Sequence, residues 1–92
     1  MKQISFNTGR SYTEHGQRIA ARRLDSGAIL MLDIDRHIDY LFPAEVELTQ
    51  TSIMRAYDIE NVIYPSNINL SYEDYYSVLR ELREVALEKV CI

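Results

Sequence analysis

AILMLDIDRHIDYLF, residues 28–42, is the stretch on which the reading of this chain turns. It begins as an unbroken apolar run, Ala28 to Leu32, and then alternates. Asp33, Asp35, His37 and Asp39 take every second position, with Ile34, Arg36, Ile38 and Tyr40 between them. Side chains of an extended strand point alternately to opposite faces, so an extended segment puts all four ionisable groups on one face. The apolar opening predicts a central strand, Ala28–Ile34, covered on both sides. A bend near Asp35-Arg36 follows, then a second extended piece from His37 to Phe42, stopped by Pro43.

Upstream, Gln17–Leu24 predicts a strand with Ile19, Ala21 and Arg23 on one face and Arg18, Ala20, Arg22 and Leu24 on the other. Asp25-Ser26-Gly27 then makes a tight connection whose last residue needs a left-handed backbone, the reason for glycine there. Residues 2–7 alternate like a half-buried strand. Asn7-Thr8-Gly9 and Glu14-His15-Gly16 signal turns, with a short extended piece from Arg10 to Thr13 between them. Downstream, Glu45–Leu48 fits a short edge strand or the approach to a helix. Thr49–Tyr57 has helical composition, and Asn61–Tyr64 is a brief strand candidate stopped by Pro65.

Ser71 is a suitable N-cap for a long C-terminal helix, with Asp74 three residues on and Leu70 placed to pack on Tyr75. Tyr72, Tyr75, Tyr76, Leu79, Leu82, Ala86 and Val90 follow helical spacing along one apolar stripe. Glu73 and Asp74 suit the positive end of the helix dipole. The expected fold is α+β: an antiparallel meander of about four to five strands against one long C-terminal helix, with a short helix near 49–57.

Ninety-two residues make one domain, 1–92, with 47% apolar and 26% charged residues, an ordinary folded composition. A core this small gains from dimerisation or from docking on a larger partner. No apolar run approaches the ~20 residues of a membrane span, and the start of the chain lacks the apolar segment of a secretory signal. Cys91, the single cysteine, has no partner for an internal disulfide. A cytoplasmic location is the expectation.

The net charge of −4 is unevenly spread. Lys2, Arg10, Arg18, Arg22 and Arg23 face only Glu14 in the first 23 residues, and acids dominate the rest. That acidic bulk argues against gripping nucleic acid through its phosphates. Arg10, Arg18, Arg22 and Arg23, with Tyr12 as a stacking ring, offer the alternative of a small nucleic-acid-binding regulator. The ionisable stripe has three readings: a solvated face, a site for magnesium, manganese or zinc, or a recognition surface. Same-face neighbours stand ~6.6 Å apart along a strand, wide for shared ligation of one ion. As a recognition surface, Asp33, Asp35 and Asp39, joined by Glu45 and Glu47 and supplemented by Asp58 and Glu60, mimic the charge of a nucleic-acid backbone and suit a basic groove on another protein. Neither His15 nor His37 belongs to a triad, and Gly9, Gly16 and Gly27 form no phosphate loop. Catalysis, a cofactor and a resident metal are therefore not expected. Of the seven tyrosines, Tyr75 and Tyr76 are expected to pack on the sheet, and Tyr72 to stand exposed as an interface residue.

The opening pattern, Phe6-Asn7-Thr8-Gly9-Arg10 followed by Gly16-Gln17-Arg18-Ile19, resembles short open reading frames of phages and prophages. In its small size and acidic character the chain resembles the proteins such elements encode against host defence, including anti-CRISPR proteins. The resemblance implies a stoichiometric inhibitor that binds a nucleic-acid-processing complex, masking its nucleic-acid site or blocking a subunit contact.

Overall fold

The computed structural model describes residues 3–7 and 18–90. Four strands, β1 (Gln3–Asn7), β2 (Arg18–Arg23), β3 (Ile29–Asp33) and β4 (Ile38–Phe42), form one antiparallel sheet in sequence order. A short helix α1 (Gln50–Asp58) and a long helix α2 (Tyr72–Val90) complete the α+β fold. Asn7, the first residue of one expected turn, ends β1; residues 8–9 of that turn, the turn at 14–16, the extended piece at 10–13, Tyr12 and Cys91 lie outside the described residues.

The apolar run makes β3 buried along its whole length. Its alternating side chains feed two cores. Ile29 and Met31 join Ile19, Ala21 and Phe42 under Ile53 and Ala56 of α1. Leu30 and Leu32 join Ala20 and Leu41 under Tyr75, Leu82 and Ala86 of α2. Each large side chain so buried contributes on the order of 1.5–3 kcal/mol. The sheet is thus the middle of three layers.

The β2–β3 connection follows its sequence. Gly27 has φ +97°, and its N–H donates to the Leu24 carbonyl at 2.9 Å. A Cβ there would stand 3.1 Å from Ala44 Cβ. Thr49 Oγ1 caps α1 by accepting from the Ser52 N–H at 3.2 Å, and Ser71 Oγ caps α2 by accepting from the Asp74 N–H at 3.1 Å. Leu70 and Tyr75 share one core cluster, as the staple requires.

Of the two readings of Glu45–Leu48 the approach to a helix holds, and the strand candidate at Asn61–Tyr64 becomes something else. Glu45–Leu48 is turn and bend leading to α1. Asn61–Tyr64 shrinks to one bridge, Ile63 to Leu41, which covers part of the β4 edge. Pro65 then opens a 3-10 turn, Pro65–Ile68, in place of further pairing. Among the described residues, no helix is long and apolar enough to cross a membrane.

Candidate functional site

The acidic stripe does not survive as one face. The segment folds back at Ile34–His37, so Asp33 ends one strand and Asp39 lies on the next, opposite Leu32. Asp33 sits on the α1 side of the sheet and Asp39 on the α2 side. The turn is built by Asp33 itself. Its Oδ1 accepts from the N–H groups of Asp35 and Arg36, both at 3.1 Å, and the residue is 3% exposed. The His37 N–H donates to the Asp33 carbonyl at 3.0 Å, and His37 takes a left-handed backbone, φ 59°. A short polar side chain that satisfies backbone donors locally favours such a turn over a continuing strand.

Asp35 is exposed but engaged. The Arg18 guanidinium grips it through Nε and Nη2, the latter at 2.6 Å, and the Arg18 backbone N–H donates to its Oδ2 at 3.0 Å. Arg22 reaches Glu81 of α2 at 3.7 Å. Arg23 donates to the carbonyls of Gly27, Ala44 and Val46. The arginines thus fasten elements of the fold to one another. Arg83 donates to His37 Nδ1 at 2.8 Å, tying the turn to α2. A guanidinium has no acceptor, so Nδ1 carries no proton in this contact. The exposed Glu45 and Glu47 belong to the β4–α1 connection, after the far end of β4 from that turn. Asp33, Asp35, His37 and Asp39 therefore do not converge, and no group of three or more His, Cys, Asp or Glu among the described residues is arranged to hold a metal ion.

What the fold does bring together is aromatic. A cleft of about 280 Å³ lies between β4, residues 62–65 and the first turns of α2, lined by Asp39, Tyr40, Tyr64, Tyr72, Tyr75 and Tyr76 among others. Tyr64, Tyr72 and Tyr76 are 64%, 60% and 53% exposed. The Tyr72 and Tyr76 rings stack at 6.4 Å, and Tyr75 meets Tyr76 edge-on at 5.4 Å. The buried Tyr75 hydroxyl donates to Asp39 Oδ2. Burial, and then that hydrogen bond to a carboxylate, raise the Tyr75 pKa well above its usual value. Tyr75 is therefore a fixed donor that orients Asp39.

Tyr76 corrects an expectation: it stands out in solvent instead of packing on the sheet. The buried stripe of α2 runs through Tyr75, Leu82 and Ala86, and Tyr76 is ~100° further round the helix. Tyr72 is exposed, as its position in the first turn suggests. Tyr64 was not a candidate from its sequence context. Its place is set by the N–H it donates to Asn67 Oδ1 at 2.7 Å, at the start of the 3-10 turn.

A larger open groove, about 730 Å³, runs past the β2–β3 turn and is lined by Arg22, Leu24, Ile68, Leu70 and Val78, among others. Its cations are turned to Glu81 and to backbone carbonyls, so it offers less directed chemistry than the tyrosine cleft. No family model, curated protein or solved structure matches the chain. Its function must be read from its own surface.

Proposed function

We propose that this chain is a non-catalytic protein-binding module, an inhibitor or adaptor acting in the cytoplasm, that docks its tyrosine-lined β4–α2 face on a basic surface of a partner protein. The observation that carries the reading is the gathering of three exposed tyrosines around one cleft beside a carboxylate. Tyrosine supplies large, rigid contact area at low entropic cost and is enriched where binding energy concentrates. Exposed acids flank the cleft in sequence: Glu60 before Val62, and Glu73 and Asp74 within the first turn of α2. Their charge speeds encounter with a basic partner and fixes register. A nucleic-acid-binding protein presents such a surface, which is the partner class the anti-CRISPR-like design implies.

Of the acidic contact read from the sequence, Asp39 remains central, while Asp33 and Asp35 serve the turn. Glu45 and Glu47 stand exposed as a separate, weaker candidate contact. Direct nucleic-acid binding through Arg18 and Arg22 has less support, because both are occupied within the molecule. Affinity capture from host lysate, with wild type and Tyr64→Ser/Tyr72→Ser/Tyr76→Ser side by side, tests the proposal. The same partner should be held by wild type and lost by the variant at unchanged thermal midpoint. Equal capture by both would refute it, and salt-sensitive binding of single-stranded DNA would favour the arginine reading.

A further inference from the structure

We propose that the cleft is a receptor for one cationic side chain of the partner, a guanidinium or ammonium group held between Asp39 Oδ1 and the faces of Tyr72 and Tyr76. The inference rests on the protein-binding reading and names what that surface recognises.

Asp39 is half-buried on the sheet, and among the described residues its carboxylate takes one hydrogen bond, at Oδ2, from the Tyr75 hydroxyl. Among the described residues, no donor reaches Oδ1, and no arginine or histidine lies within ion-pairing distance of the carboxylate. A partly desolvated charge without a counter-charge is costly, and an arriving cation would relieve that cost. Asp33 and Asp35, the neighbouring acids in sequence, each have their charge met by backbone N–H groups or an arginine. Among the described residues, Asp39 is the one of the three whose carboxylate has no counter-charge.

The walls suit the same occupant. Tyrosine faces carry the negative part of the ring quadrupole and attract a cation within ~6 Å of the centroid. Tyr72 and Tyr76 line the cleft as a stacked pair, and the Tyr75 hydroxyl holds the Oδ2 of the carboxylate. A volume of about 280 Å³ is below the range for a drug-sized ligand and fits a single side chain. An anion would meet Asp39 with like charge. A divalent ion would find one carboxylate where it needs several oxygen ligands.

Full-length, isotope-labelled protein titrated with N-acetyl-arginine methylamide, N-acetyl-lysine methylamide and the neutral citrulline analogue, read by NMR, tests this. Saturable shifts at Asp39, Tyr72 and Tyr76 are expected with a cationic probe, and binding at least ~10-fold weaker with citrulline. Asp39→Asn keeps an acceptor for Tyr75 and should abolish the preference for the cation. Tyr76→Leu, at an exposed position away from the Asp39 hydrogen bond, should weaken the cationic probe alone, and serves if Asp39→Asn fails to fold. Equal affinity for arginine and citrulline, an intact cation preference in either variant, or no shift with both cationic probes would overturn the inference. None of these results changes the outcome of the capture experiment. Probe binding without any loss of capture in the triple tyrosine variant would instead overturn the docking proposal and leave the receptor standing.

Discussion

Asp33 lies almost wholly out of water, and its carboxylate closes the turn that follows it by taking two backbone N–H groups. Removing it leaves those donors without their acceptor, so Asp33→Ala should cost about 1–3 kcal/mol in urea unfolding, while Asp33→Asn retains an acceptor and costs less. Gly27→Ala places a Cβ against Ala44 at a left-handed position and should cost a further ~1–2 kcal/mol by the same assay. Tyr75 sets an alkaline limit. The phenol is neutral when protonated, and the fold raises its pKa above the ordinary 10.0, so the folded chain holds that proton more tightly than the unfolded one. Its contribution is complete below pH 10 and is lost as pH rises through the folded-state value. The thermal midpoint of wild type should therefore fall more steeply above pH 10 than that of Tyr75→Phe.

At the scale of elements, the strands and helices were largely legible. The apolar run forced a fully buried β3, the Asp-Ser-Gly connection set the β2–β3 pairing, and the Ser71 cap with the stripe through Leu82 and Ala86 marked α2. Ser71→Ala should lower stability by about 1 kcal/mol in the same denaturation experiment, because the Asp74 N–H loses its acceptor. The segment from Asp33 to Asp39 was legible in its ends and not in its middle. Alternation of charged and apolar residues also fits a four-residue reversal when the first residue is an aspartate able to cap it. The expected bend at Asp35-Arg36 is a full turn, and the turn sends Asp39 to the opposite face from Asp33. Periodicity counts positions along a strand and carries no information about where a side-chain cap reverses it.

For the whole molecule, a sheet between two helices leaves little freedom for the strand faces to meet a partner. The proposed recognition falls to the edge, where β4, the bridge at Ile63 and the first turns of α2 leave tyrosines uncovered. The cleft joins residues as far apart as Asp39 and Tyr75 through contacts that no local pattern encodes. The sequence signs of it were seven tyrosines without a tryptophan and the grouping of Tyr72, Tyr75 and Tyr76 at the start of α2. The most direct measurement is site-specific photo-crosslinking in living cells, with p-benzoylphenylalanine placed at Tyr72, at Tyr76 and, on the Ile34–His37 turn, at Asp35. The account predicts one shared partner crosslinked from Tyr72 and Tyr76 and none from Asp35. Crosslinking from Asp35 with silence at both tyrosines would contradict it.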